Sequence, residues 1–393
     1  MHVTVLGQGY VGLPLALAAC KAGHKVFGLD TDTYRVEQLS KGKSPIEDIS
    51  DSEIFNQIQA GRYQPSFDAN LIGKSEVIVI CVPTPLLPSK KPDLSALLNA
   101  TSNVAKHLKK GSLVIVESTV EPGTCNNLLL PVLVRDSGLS EADFELAYSP
   151  ERIDPTNKNW TIRNTPKLVA GLTQSASNRA KNFYKDFVEE IIECESIAVA
   201  EMAKLLENSF RFINISFINE ISILCHKIGV DINEVISAAA TKPYGFMPFY
   251  PSVGIGGHCI PVDPLYLANT FNDNGVPNRF ITLADQINNE MPKHYVSRAK
   301  EMLGTLNNRK ILVVGVAYKP NVSDVRETPV LDLISELKKN GAIVAWHDNL
   351  VKNWNNQASV PIEGDYDLAI IATLHSYINL NDLGNTPILN TKG

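Results

Sequence analysis

Paired cysteines are missing from this chain. Its six cysteines, Cys20, Cys81, Cys125, Cys194, Cys225 and Cys259, are scattered with no Cys-x-x-Cys among them. That argues against a disulfide framework and against a zinc centre, so no metal is expected and a reducing cytoplasm is the expected compartment. Positive charge is also short. A formal net charge of −6 leaves no basic face for nucleic acid. An anionic ligand would have to be held by local groups. Long hydrophobic runs are absent too: no uninterrupted apolar stretch reaches the roughly 18 residues of a membrane span, so none is predicted. The apolar opening ends Leu17-Ala18-Ala19-Cys20, like a lipoprotein cleavage site. No Lys or Arg precedes it, however, and Gly7, Gly9, Gly12 and Pro14 interrupt it, so it is read as folded protein rather than as a signal peptide.

What is present is an ordinary globular balance, 44% hydrophobic and 20% charged, over 393 residues. That length exceeds a single core and implies two or three domains. The chain opens with a short apolar strand, Val3 to Leu6, followed at once by Gly7-Gln8-Gly9-Tyr10-Val11-Gly12 and a helical stretch from Leu13 to Ala22. A second strand, Lys25 to Leu29, ends at Asp30, eighteen residues after the last of these glycines. Strand, Gly-x-Gly-x-x-Gly, helix, strand and acid is the dinucleotide fingerprint in its structural context. Gly7 makes the turn, Gly9 admits a pyrophosphate and Gly12 lets the helix lie close to the strand. The helix N-terminus then receives the phosphates. Asp30 suits a ribose and repels a 2′-phosphate, favouring NAD over NADP; Arg35 pulls slightly the other way.

Strands and helices go on alternating. Val77 to Val82 runs into Pro83-Thr84-Pro85, Leu113 to Val116 into Glu117-Ser118-Thr119, and Glu145 to Tyr148 into Ser149-Pro150-Glu151-Arg152. Polar residues just past strand ends lie on the ligand edge of a doubly wound sheet, which makes Thr84 and Thr119 candidate contacts; ordinary loop threonines are the alternative. Lys167 to Gly171 reads as a closing strand. Ser196 to Gly229 then carries helical periodicity, with Val199, Met202, Leu205 and Leu206 along one side, followed by Phe210, Ile213, Phe217 and Ile221. Lys204 and Asn208 sit one turn apart on one face, where a cation and an amide could both reach a reacting oxygen; a solvated helix face is the alternative. A helix this long and apolar is expected to pack on a partner subunit. A second helical stretch spans Asn278 to Leu303. From Lys310 the opening pattern returns: Ile311 to Gly315 repeats the first strand, and Gly341 to Asp348 parallels Gly23 to Asp30. The full glycine set is replaced there by Gly315-Val316-Ala317-Tyr318-Lys319-Pro320, with Asp324 and Arg326 following. Such cations suit a diphosphate held by side chains. The fold expected is α/β, two Rossmann-like doubly wound parallel-sheet domains joined by a central helical domain, with boundaries at 1–195, 196–304 and 305–393.

The most unusual stretch is Gly254-Ile255-Gly256-Gly257-His258-Cys259-Ile260-Pro261-Val262-Asp263-Pro264. Three glycines allow close approach to a ligand, two prolines stiffen the exit, and Asp263 places a carboxylate just beyond the thiol. This suits a sulfur presented to a ligand in a shaped loop, against the bland reading of a buried inert thiol.

These segments together resemble the nucleotide-sugar 6-dehydrogenases over nearly the whole chain. The landmarks are GQGYVGLPLA, CVPTP, ESTVEPGT, SPER, the helix from Glu201 through Asn208, GIGGHCIPVDP and GVAYKPNVSDVRETP. SPERIDPTN, Thr241 to Phe246 and His258 look most like the branch that oxidises UDP-N-acetylglucosamine. The resemblance implies NAD-dependent, four-electron oxidation of the sugar C6 alcohol to a carboxylate. Cys259 would be the nucleophile, passing through a thiohemiacetal and a thioester. Lys204 and Asn208 would stabilise charge on the C6 oxygen. Asp263, Thr119 and Glu151 would position or activate water, Glu151 being the favoured base. Arg152, Gly256, Phe249 and Tyr250 would contact substrate, Lys319 would hold the UDP phosphates or sugar, and Arg326 would reach toward the cofactor. The UDP-glucose branch carries a second Glu four residues after the one matching Glu151; Pro155 stands there, beside Asp154. The resemblance also implies a homodimer through the central helices and a role in surface polysaccharide synthesis. Alternatives are the same chemistry on UDP-N-acetylmannosamine, UDP-N-acetylgalactosamine, UDP-glucose or GDP-mannose, a two-electron 3-hydroxyacid-type dehydrogenase, or a nucleotide-sugar-binding protein without turnover.

Overall fold

A computed structural model describes every residue except Glu47, Pro155, Thr156, Lys158 and Gly393, so the proline in place of the second Glu lies outside the described residues. The chain divides into two compact units, Met1–Leu206 and Glu207–Gly393.

The first unit holds β1 (His2–Leu6), α1 (Gly12–Lys21), β2 (Lys25–Leu29), α2 (Thr33–Ser40), α3 (Asp51–Gln59), β3 (Tyr63–Ser66), β4 (Val77–Ile80), α4 (Ser95–His107), β5 (Leu113–Val116), α5 (Leu130–Ser137), β6 (Glu145–Tyr148), β7 (Lys167–Gly171), α6 (Gln174–Lys185) and β8 (Ile191–Glu193). The strands form one sheet in the order β3-β2-β1-β4-β5-β6-β7-β8. The apolar runs of the sequence explain this burial on both faces. Val77, Val79, Leu113 and Ile115 face a core built with Leu13, Leu17, Phe183 and Tyr184. Their neighbours Ile78, Ile80, Val114 and Val116 face another with Val104, Leu129 and Leu133. The register brings the strand ends level: Leu6 pairs with Leu29 and Ile80, Ile80 with Val116, and Val116 with Tyr148. The loops after β1, β2, β4, β5 and β6 therefore leave along one edge. One pairing departs from the expected parallel order, since β7 runs antiparallel to β6. Lys167, at the start of β7, consequently comes back to the edge that β6 has just left.

A helix, α7 (Ile197–Ile228), contains the division between the units. It has no internal Gly or Pro and stops at Gly229, whose φ of 72° suits a helix terminator. Its apolar residues do not share one side as the spacing suggested. Leu205 is fully buried, whereas Val199, Met202, Leu206, Phe210, Phe217, Leu224 and Ile228 are exposed. A helix hydrophobic on two sides has a second stripe that its own unit leaves uncovered.

The second unit continues with α8 (Ile232–Ala240), α9 (Asp263–Asp273), α10 (Phe280–Leu303), β9 (Lys310–Val314), α11 (Val330–Lys339), β10 (Ile343–His347), a two-residue pair β11 (Asn353–Trp354) and β12 (Gln357–Ala358), β13 (Leu368–Ile371) and β14 (Ile388–Asn390). Its all-parallel sheet has the order β10-β9-β13-β14. Among the described residues, no helix is long and apolar enough to cross a membrane.

Candidate active site

The first unit carries the glycine loop at the point where the strand order turns from β1 to β4, the usual ligand crevice of such a sheet. Gly7 has φ 88°, and a Cβ there would lie 2.4 Å from the Cys81 carbonyl oxygen; a Cβ on Gly12 would lie 1.8 Å from the Gly7 oxygen. These two glycines therefore serve the chain's own packing. Gly9 faces open space, and α1 starts close by at Gly12, with Val11 at its N-cap and no side-chain cap. Its first N–H groups are thus the ready-made anion site that a pyrophosphate uses. Gln8 is buried, donating to the Val5 carbonyl at 2.8 Å and accepting from the Tyr63 hydroxyl at 2.7 Å, which locks the loop from behind. Tyr10 and Val11 are half-buried at the loop's end.

Asp30 follows β2. Its Oδ2 accepts from the Gln8 N–H at 2.8 Å and lies 3.0 Å from Arg35 Nη1. Arg35 is thereby held between Asp30 and Asp32, so the cation that pulled toward a 2′-phosphate is largely neutralised. These residues fit an NAD dinucleotide. Half-buried Thr84 and Thr119 stand past β4 and β5, whose loops are tied by the Ser118 hydroxyl donating to the Val82 carbonyl at 2.7 Å. Glu201 on α7 accepts from the N–H groups of Gly123 and Cys125, steadying the loop that carries Thr119.

Past β6, Glu151 Oε1 accepts from the Arg152 and Ile153 N–H groups at 2.7 Å each. Its Oε2 lies 3.3 Å from Lys167 Nζ, which lies 3.2 Å from Glu117 Oε1. Arg152 turns its guanidinium to the Pro166 carbonyl at 2.6 Å. Lys204 is buried, not on a solvated helix face, and its Nζ donates to the Glu151 carbonyl at 2.7 Å. Burial pushes the Glu151 carboxyl up, but Lys167, the two N–H groups and Lys204 more than offset that and leave it below the usual range. Glu117 is pushed up to about 7 by burial, against the pull of Lys167.

The cysteine loop lies in the second unit. Its glycines meet protein rather than open ligand space. A Cβ on Gly254 would lie 2.8 Å from Pro329, one on Gly256 2.7 Å from the Glu327 oxygen, and one on Gly257 2.8 Å from the Tyr318 ring. The glycines thus also let the loop lie flat on the segment 318–329. The Ile255 N–H donates to Asn288 Oδ1 at 2.6 Å and the Gly257 N–H to the Arg326 carbonyl at 3.2 Å. Cys259 is half-buried and in no disulfide. Its carbonyl accepts from the Asp263 N–H at 2.8 Å, and buried Asp263 opens α9. Asn208 donates from Nδ2 to Asp263 Oδ2 at 2.5 Å. Arg326 is exposed, its guanidinium held by Asp324 and 3.1 Å from His258 Nδ1. Phe249 packs edge-on to Phe210, Tyr250 is exposed, and Lys319 is half-buried.

The parallel between the two sheets extends to side-chain level, with one difference. Gly315 has φ 81° and backs onto the Thr373 oxygen as Gly7 backs onto that of Cys81. Asp348, the counterpart of Asp30, accepts from the Val316 N–H at 2.9 Å but is capped by His375 Nε2 at 3.0 Å, both side chains fully buried. The carboxylate in the second unit that corresponds to Asp30, the residue the sequence assigns to a ribose, is covered by a histidine.

Sequence profiles match this chain in three consecutive pieces. Residues 1–188 match the NAD binding domain, 198–290 the central domain and 312–385 the UDP binding domain of the UDP-glucose/GDP-mannose dehydrogenase family. The chain belongs to that family. It is 35% identical to the UDP-N-acetyl-D-glucosamine 6-dehydrogenase of Pseudomonas aeruginosa, covering 96% of this chain and 91% of that one. It is 34% identical to a UDP-N-acetyl-D-mannosamine dehydrogenase of Pyrococcus horikoshii, covering 95% and 90%. The structure of a UDP-D-ManNAc dehydrogenase from Pyrococcus horikoshii superposes with a TM-score of 0.91 at 30% identity, over 100% of this chain and 96% of that one.

As a member of this family the chain is an NAD-dependent oxidoreductase with a domain for the UDP part of its substrate. Three residues at its candidate site escape sequence reasoning. Glu117 and Lys167 are each a single charge abutting an apolar strand, a signal that reads equally well as an ordinary strand end. His375 follows a strand as Ser118 does, and nothing in the sequence says that it turns back on Asp348.

Proposed function

We propose that this protein oxidises C6 of a UDP-N-acetyl-hexosamine, UDP-N-acetylglucosamine first among them, to the uronic acid with two equivalents of NAD. The observation that carries the reading is the Asn208–Asp263 hydrogen bond, together with the Asp263 N–H on the Cys259 carbonyl. It fixes the amide of α7 and a buried carboxylate around the turn that ends the cysteine loop, which supports a thiol held beside groups able to bind a reacting oxygen and water.

The Gly7–Gly12 loop and Asp30 would hold NAD, which when bound would supply the hydride acceptor for both oxidations. Lys204 and Asn208 stabilise negative charge on the C6 oxygen. After the first oxidation, Cys259 Sγ bonds to the aldehyde carbon and the carbonyl oxygen takes a proton, giving a thiohemiacetal. Its oxidation leaves a thioester. Water adds there, the carbon–sulfur bond breaks, and the thiol and a carboxylate are released. Glu151, ionised at neutral pH, takes the proton of that water, with Thr119 and Asp263 helping to place it. Arg152, Gly256, Phe249, Tyr250 and Lys319 are assigned to the substrate, and Thr84 and Arg326 to the cofactor.

The three profile spans support a division into an NAD domain at 1–195, a central helical domain at 196–304 and a UDP-sugar domain at 305–393. The exposed apolar stripe on α7 supports a homodimer through that helix. Six scattered cysteines with no Cys-x-x-Cys pair fit the cytoplasm, and an acidic nucleotide sugar fits supply to polysaccharide synthesis. UDP-N-acetylmannosamine is the second reading, favoured by the relative at 34% identity. The deciding experiment counts NADH formed per UDP-N-acetylglucosamine consumed under excess NAD. Two NADH and an acidic sugar are expected. One NADH would overturn the cysteine mechanism, and turnover of UDP-N-acetylmannosamine alone would transfer the assignment to that sugar.

A further inference from the structure

Behind Glu151 lies a chain of buried polar groups to which the reaction above gives no task. Glu117, Lys167 and Tyr184 are each at least nine-tenths buried. The Tyr184 hydroxyl donates to Glu117 Oε1, the same oxygen that Lys167 Nζ approaches to 3.2 Å. Lys167 also lies 4.9 Å above the Tyr184 ring. Glu117 Oε2 is buried without a hydrogen-bond partner. Three strand connections converge to make this cluster: Glu117 follows β5, Glu151 comes after β6, and the antiparallel return of β7 brings in Lys167. The Ser149 hydroxyl pins the return by donating to the Leu168 carbonyl at 2.7 Å.

A structural ion pair needs one carboxylate for one ammonium. Here one buried ammonium serves two, and the arrangement is lopsided. Glu151 has both oxygens engaged, by two N–H groups and Lys167, and its carbonyl holds Lys204. Glu117 is left with an orphan oxygen. Buried carboxylates without a cation become protonated. We propose that Lys167, seated by Glu117 and Tyr184, is the positioning residue that keeps the Glu151 carboxylate ionised and aimed, and through the Glu151 carbonyl seats the Lys204 ammonium. Glu117 is its anchor, acting as a hydrogen-bonding partner rather than as a second anion. The groups facing this cluster are Cys81 after β4, Glu117, Glu151, Lys167, Tyr184 on α6 and Lys204 on α7. Of these, only Lys167 and Lys204 bring positive charge to Glu151.

The inference rests on the role given to Glu151 above, and its test separates the two. The ionisation of Glu151 is read directly, as the pH dependence of its carboxyl ¹³C resonance in protein labelled on glutamate and assigned with Glu151→Gln. The acid limb of the pH profile of kcat is read in parallel. In the wild type the resonance is expected to titrate below the ordinary value of 4.5. Lys167→Met should move it, and the acid limb, up by about one pH unit or more. Lys167→Arg should restore it, and Glu117→Gln, which keeps the acceptor oxygen of the anchor and fixes it in its neutral form, should not raise it. A Lys167→Met protein that folds and titrates like the wild type overturns the proposal. Should that variant not fold, an upward shift in Glu117→Gln overturns it equally. If the resonances behave as expected but the wild type oxidises no UDP-sugar, the positioning role stands and the reading of function falls.

Discussion

At the scale of single residues, two positions carry the sharpest consequences. Cys259→Ser keeps the size and the loop and removes the thiolate. It is expected to bind NAD and UDP-sugar as the wild type does, by calorimetry, yet to yield no uronic acid. Loss of both binding events would instead mean that the side chain holds the loop together. Gly257 is a different kind of requirement. Its φ is 93°, and the Tyr318 ring occupies the place of any Cβ. Gly257→Ala therefore combines a left-handed backbone with a clash and should cost the second unit about 1–3 kcal/mol in urea unfolding. Replacing Tyr318 by Leu in that background relieves the clash alone, so partial recovery is the expected result. From the sequence, this glycine reads as room for a ligand; only the facing segment 318–329 shows that the Tyr318 ring also requires it.

At the scale of elements, α7 is the informative one. Its existence and ends are legible in the sequence, since 32 residues without Gly or Pro stop at Gly229. Its faces are not. Spacing alone cannot tell which of two apolar stripes meets its own unit, because both satisfy helical periodicity. Phe210, Phe217 and Leu224 recur every seven residues on the exposed stripe, the period of helix-to-helix packing. Phe217→Glu together with Leu224→Glu should convert a dimer to a monomer in size-exclusion chromatography with light scattering. A wild type that is already monomeric would refute the homodimer. The β6–β7 pair teaches a related lesson. The strand Lys167 to Gly171 is legible, but its direction is set by which edge the intervening loop returns to, and that direction alone brings Lys167 to Glu151.

At the scale of the whole molecule, the buried charges set how stability depends on pH. Glu117 binds its proton up to about pH 7 in the folded protein, against an ordinary 4.5. Between those values the folded state holds a proton that the unfolded chain has lost, so stability falls as pH rises, by roughly 3 kcal/mol in all. Glu117→Gln should flatten that slope in denaturation series run from pH 4 to 8. Asp348 has the opposite sign. His375 and the Val316 and Val351 N–H groups outweigh its burial and hold it at about 2, so its contribution is present above 3.8 and lost as pH falls through 2. What the sequence determined by itself is the plan: apolar strands buried on both faces, a glycine loop that only a close helix–strand packing requires, two related sheets, and a cysteine loop. These follow from local rules of conformation and periodicity that need no knowledge of distant residues. What only the tertiary structure decided is partnership. The capping of Asp348 by His375, the tie of Asn208 to Asp263, and the sharing of Lys167 between Glu117 and Glu151 join residues from 16 to 55 positions apart. No local preference encodes such pairs, because the free energy of a buried charge depends on which distant group the fold delivers beside it.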